Sequence, residues 1–380
     1  MKKENNSIKL YMRSIVFFIG SIIGSGVLIL PYIIKTGGLI SFFIAMGFVT
    51  FITYIFTKIL CITTLLKKVF GKRITVILTF LYWLISWVST SVVINEAVYY
   101  ISQLFTIDTL LLQCTITIFF IIINCISNKH TVYLEYILTA LKVLLLIIFP
   151  IVVLFKSSMC VQKLPMFYTS NGITNIFWCF LGIEMGSIMH LTTRNGLISI
   201  LFIGILYLIN IFAIMLNIPE VTIRAFFDLS QMIFGNTTFI AISIIILCLS
   251  TINSWIVASS TFAYESSING AFPEIFSRKS NDIPVYSTIL SSIGLIPLFF
   301  VLRNDTLSSI ILHFANLSSN LFLFFYGVVI FAFGRDLTNN MFLKLSCYVL
   351  SIILILFCVY TQPALIFLSL IICLPISFII

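Results

Sequence analysis

The sequence predicts an all-α polytopic membrane protein of about twelve transmembrane helices, and three observations carry that expectation. The 380 residues are 61% hydrophobic and 9% charged, with a mean hydropathy of +1.19, where soluble domains carry about 25% charged residues. Apolar stretches long enough to span a bilayer, about 17–25 residues each, recur along the whole chain. Two of these stretches, the first and the sixth, are interrupted by glycines at their centres. No soluble core could hide so much apolar surface, so lipid must be the solvent.

In chain order the expected spans are 14–34, 38–63, 75–104, 108–127, 131–155, 172–190, 196–217, 238–266, 286–302, 307–333, 341–359 and 362–380. The connections are short, and none is large enough to form a separate soluble domain, so residues 1–380 read as one membrane domain. Residues 14–155 and 172–333 have comparable lengths, and each begins with an interrupted helix. That pattern fits two five-helix repeats of inverted topology, followed by two additional helices over 341–380. The segment "MKKENNSIKLYMRS" is charged and polar, and the first span lacks a small-residue cleavage site. It reads as the start of a retained helix rather than a signal peptide.

The formal charge of +9 could suggest an acidic partner, but its distribution says otherwise. With a cytoplasmic N-terminus, only Lys35, Lys156, Lys163, Arg224 and Arg303 fall outside and Lys142 falls within a span. Every other Lys and Arg lies on the inner side, as the positive-inside rule requires. The basicity is topological, no nucleic-acid partner is expected, and both termini are expected on the cytoplasmic side of the cell membrane. The nine cysteines form no CxxC pair and read as small hydrophobes in helix packing. His190 and His313 have no metal-ligand spacing, and no GxSxG, HExxH, Walker motif or paired catalytic carboxylates occur. No enzyme activity, catalytic residue, cofactor or metal is expected. The expected partners are a small molecule and the bilayer, with a homodimer as the one protein assembly considered. Glu96, Glu135 and Glu265 sit near span ends and are expected at the interface.

The first break, "SIIGSGVLILP", places Gly24, Ser25 and Gly26 at mid-span, with Pro31 beyond them. The sixth span, "NIFWCFLGIEMGSIMHL", breaks between Gly182 and Gly186 and carries Glu184 inside the break. Glycine in a helix interior costs roughly 1 kcal/mol relative to alanine, and a carboxylate at membrane depth costs at least ~2.5 kcal/mol. Glycines can also serve close helix packing, but two matched breaks, one holding a glutamate, point to a central site. Unwound backbone cannot face lipid and must line a protein cavity. Its free N–H end suits a carboxylate and its carbonyl end an ammonium, so a zwitterion is the natural ligand.

The stretches "IGSIIGSGVLILPYIIKTGG" (19–38), "FWCFLGIEMGS" (177–187) and "TINSWIVASSTFAYESSINGAFPEIFSRKSNDIPVYS" (251–287) together resemble the amino acid–polyamine–organocation (APC) transporters. Among these the chain is most similar to bacterial basic amino acid/polyamine antiporters of the arginine/agmatine type. The resemblance implies a LeuT-type fold and a secondary transporter that exchanges an amino acid for a related amine. Proton-coupled uptake is the nearest alternative, and a non-transporting ligand-sensing receptor is the alternative from another class. By the same resemblance, Ser25 and Gly26 of the Gly24-Ser25-Gly26 break would hold the substrate carboxylate, while Ser21 and Thr90 stand where the antiporters usually carry amides. The carbonyls of Ile22, Trp178 and Leu181 would take the amino group. Tyr82, Ile85, Ser86 and Thr90 would wall the substrate side chain, Trp178 would stack on it and Trp255 would meet its distal end. Glu184 would couple binding to helix movement. Lys142, in "LTALKVLLLIIFP", would stand where related transporters bind sodium, as a fixed cation or a proton carrier.

Overall fold

The computed structural model describes residues 2–156, 164–218, 220–280, 283–302, 314–361 and 373. Helix α1 (Lys2–Ile22) stops where the glycine–serine run begins, and α2 (Gly26–Gly37) restarts beyond it, bent by 49°. A short connection leads to α3 (Leu39–Phe56). The first half continues through α4 (Ile62–Ser102), α5 (Thr109–Ile126) and α6 (Asn128–Lys156). The second half opens with α7 (Ser170–Trp178) and the single turn α8 (Met185–Ile188), separated by a non-helical segment. It continues through α9 (Thr193–Met215), α10 (Ala225–Phe234), α11 (Thr238–Ile268), α12 (Val285–Ile293), α13 (Leu295–Leu302) and α14 (Ala315–Asp336), and α15 (Met341–Thr361) follows. Among the described residues, eight helices are long and apolar enough to cross a membrane, or nine with the bent α1–α2 pair. The last expected span, 362–380, lies outside the described residues except for Cys373, as does His313.

Several boundaries differ from the sequence expectation, each for a local reason. The second span ends at Phe56, not at residue 63, because Thr57–Cys61 turn under α8. There the Ser187 hydroxyl donates to the Ile59 carbonyl at 2.7 Å. Helix α4 starts well before residue 75, but Gly71, at φ 80° and ψ 175°, breaks it into a short surface segment and a long span. Only glycine adopts that backbone geometry without strain. The ninth span is two short helices meeting at Gly294, where a Cβ would lie 2.0 Å from the Trp87 ring. Helix α10 lies where no span was expected and ends on Gly235 at φ 63°.

The centre of the molecule is built from the broken helices, with α3, α6, α9, α11 and α14 packed around them. Helices α5 and α15 are the most lipid-exposed of the spans, while α11 and α14 are the most enclosed. On the face carrying Lys67, α4 is tied to α11 and α14. The Thr63 and Ser266 hydroxyls lie 2.8 Å apart, Lys67 donates to the Asn269 carbonyl at 2.9 Å, and Lys68 pairs with Asp336 at 2.8 Å.

Candidate functional site

The two breaks meet. A Cβ added to Gly26 would come within 2.6 Å of the Cys179 Cα, and one on Gly182 within 2.9 Å of Ser21. Gly182 also sits at φ 105°, so both the approach and the backbone geometry require glycine. Tyr207 of α9 clasps the junction: its hydroxyl lies 2.9 Å from the Cys179 carbonyl and 3.2 Å from that of Ile22.

Beside this junction lies a small cavity, lined by both breaks together with α4 and α11. The first break supplies Ser21, Ile22, Gly24, Ser25 and Gly26, the second supplies Trp178 and Leu181, and α11 supplies Thr251 and Trp255. From α4 come Ser89 and Val93. The amides of Gly24, Ser25 and Gly26 donate to no backbone carbonyl among the described residues, and together with the positive end of α2 they suit an anion. The carbonyls are partly engaged. That of Ile22 accepts from Tyr207, that of Ser21 accepts the Trp255 indole N–H at 3.3 Å, and that of Trp178 accepts the Leu181 amide at 3.4 Å.

Tyr82, Ile85, Ser86 and Thr90 do not line this cavity. It sits higher on α4, so Ser89 and Val93 occupy the wall expected of them, with Ser86 one turn below on the same face. Ser86 and Thr90 turn their hydroxyls back onto the carbonyls of Trp83 and Ser86, at 2.7 Å each. Tyr82 instead reaches Glu184, donating to Oε1 at 3.1 Å, while Tyr326 of α14 donates to Oε2. Glu184 is fully buried and is held away from the cavity by these two phenols.

Lys142 is also fully buried. Its ammonium donates to the carbonyls of Gly20 at 2.6 Å and Ile23 at 2.8 Å, and Thr251 adds a bond to Ile23 at 3.0 Å. The Lys142 side chain therefore satisfies the carbonyl end of α1, where a helix dipole favours positive charge.

Glu135 and Glu96 are not interfacial, contrary to the sequence expectation. Glu135 is fully buried because α1 and α11 close over it. Its Oε1 accepts from Ser254 at 2.7 Å, Thr139 at 2.9 Å and Ser250 at 3.1 Å, and its Oε2 from Asn253 at 2.7 Å. A Cβ on Gly20 would strike this carboxylate at 2.1 Å. Glu96 retains only 2% exposure on α4. Glu265 is half-buried near the end of α11. Thr251 could have been found from the sequence, one turn before Trp255 in "TINSW". Tyr207 and Tyr326 had no signal there, because a tyrosine in a span equally suits an interfacial belt.

Two crossed half-helices around a central cavity, enclosed by long apolar helices, define a multi-pass transporter fold. Many solved structures share it, two of which illustrate the likeness. One, a manganese transporter of Eremococcus coleocola in complex with an aromatic bis-isothiourea compound, matches with a TM-score of 0.61 at 10% identity, over 97% of this chain and 92% of that one. The other, a substrate-bound, outward-open Na⁺-coupled sialic acid symporter, matches with a TM-score of 0.56 at 13% identity, over 92% and 89% respectively. No curated protein sequence matches. The model of the amino acid permease family matches residues 11–371, and the chain belongs to that family. It is a secondary transporter of the APC type with a LeuT-type fold, not an enzyme.

Proposed function

We propose that this protein carries amino acids or related amines by alternating access around the α1–α2 and α7–α8 breaks, working chiefly as an exchanger. The observation that carries the reading is the set of three amides, Gly24 to Gly26, that have no backbone acceptor among the described residues and belong to residues lining the cavity. They and the Ser25 hydroxyl take the ligand carboxylate, and the carbonyls of Ile22, Trp178 and Leu181 take its ammonium. Trp178 and Trp255 flank the side chain, and Ser89 and Val93 complete its wall on α4. Lys142 serves as a fixed cation in place of a coupling ion, so sodium is not required. Glu184 links the moving half-helix to α4 and α14 through Tyr82 and Tyr326. The protein works in the cell membrane with both termini cytoplasmic.

The test is uptake of a labelled amino acid panel by proteoliposomes of the full chain, with and without unlabelled amino acid inside. Exchange predicts accumulation only in preloaded vesicles, equal in sodium and in choline buffer. A protein that binds label yet never accumulates it would be a receptor, and the transport reading would fail.

A further inference from the structure

Among the described residues, Glu96 is the buried carboxyl near the cavity whose hydrogen bonding is incomplete. It lies on the α4 face that supplies Ser89 and Val93, one turn beyond Val93. Its Oε2 has no hydrogen-bond partner among those residues, whereas Glu135 and Glu184 are satisfied on both oxygens. The group facing it across the α1–α2 break is the hydroxyl of Ser25, a cavity residue. On its own helix it faces Tyr100, and from α11 it faces Cys248. The two cations in this region face those neighbours instead, Arg224 towards Tyr100 and Lys142 towards Cys248. Among the described residues no cation neutralises Glu96 directly, and an incompletely bonded buried charge is costly.

This placement conflicts with an anionic ligand. Ser25 has a single O–H, and an ionised Glu96 would compete for it. A ligand carboxylate arriving at the Gly24–Gly26 amides needs that same proton and is repelled by the charge behind it. Protonating Glu96 removes both obstacles at once. The carboxyl O–H donates to the Ser25 oxygen, and the Ser25 O–H turns to the ligand.

We infer that Glu96 takes up one proton from solvent whenever a carboxylate-bearing ligand binds at the first break, so that proton and ligand binding are coupled there. The step adds H⁺ to a carboxylate oxygen, forming one O–H bond and breaking none in the protein. The inference rests on the reading that the ligand is an amino acid held by its carboxylate. Coupling is reciprocal, so affinity for an amino acid rises as pH falls, by up to about tenfold per pH unit for one linked proton. An amine of the same shape but without the carboxylate escapes the conflict and lacks this dependence.

The experiment uses the full chain in lipid nanodiscs. Binding of L-alanine, L-leucine and L-arginine is measured calorimetrically from mildly acidic to mildly alkaline buffer, beside isoamylamine and agmatine, the decarboxylated forms of the last two. Wild type should bind the amino acids more tightly at lower pH and take up one proton per ligand, read as a buffer-dependent heat. Glu96→Gln, nearly isosteric, should bind them with no pH slope and no proton uptake. An unchanged slope in Glu96→Gln, or amino-acid binding to wild type without proton uptake, would overturn the coupling while leaving amino-acid transport standing. A wild type that binds the amines alone, or nothing in the panel, would overturn the amino-acid reading and the coupling together.

Discussion

The two breaks at the centre of the molecule are built in opposite senses. At the first, a cation fills the carbonyl end: Lys142 holds Gly20 and Ile23, and the amide end is left to the cavity. At the second, an anion inside the break is turned outward: Glu184 is held by Tyr82 on α4 and Tyr326 on α14. The first break thus leaves amides facing the cavity, and the second grips the surrounding scaffold. Equal-looking glycine interruptions in a sequence can therefore serve different ends, and the charged partner of each tells which.

The largest effect should come from removing the cation. Lys142→Met removes both of its bonds, leaving Gly20 without that donor and Ile23 with Thr251 alone, and each lost bond to a charged group is worth about 1.5–3 kcal/mol. We expect uptake to be abolished and thermal unfolding in detergent to fall by several degrees. Normal uptake by this variant would erase the contrast between the breaks. Next comes Glu184→Gln, which keeps the shape but alters the bonds to both tyrosines. Turnover, from counterflow rates, should fall at least about tenfold, or ~1.4 kcal/mol, with affinity little changed. A proportional loss of affinity would make the second break a ligand site like the first.

Tyr326→Phe should act in the same direction but more weakly, by about 1 kcal/mol. A double-mutant cycle with Glu184→Gln should show strong coupling, and additivity would mean that the phenol supports something else. The smallest expected effect is one of selectivity. Trp178→Leu should weaken arginine binding more than alanine binding by roughly 0.5–2 kcal/mol, the range of a cation–π contact. Equal losses would remove any preference for a cationic side chain.

The positions of both breaks were legible in the sequence because Gly24-Ser25-Gly26 and Gly182 interrupt runs that lipid would otherwise keep helical. Lys142 was legible because an ammonium at mid-span persists only where the protein supplies it with polar partners. The burial of Glu96 and Glu135 was not, because closeness to a span end does not fix depth within the folded protein. For Glu135 the deciding factor is that α1 and α11 close over it, a tertiary fact. The α4 wall was offset for a related reason. Residues 75–100 are buried on most sides, so periodicity names no single inward face and leaves the height of the cavity open. The amphipathic piece before Gly71 and helix α10 lie outside the hydrophobic pattern that locates spans.

Tyr207 has one proton and two carbonyls to serve, Cys179 at 2.9 Å and Ile22 at 3.2 Å. Donating fully to one leaves less for the other, so a single hydrogen joins the two breaks, and a shift of either half-helix is felt at the other through this phenol.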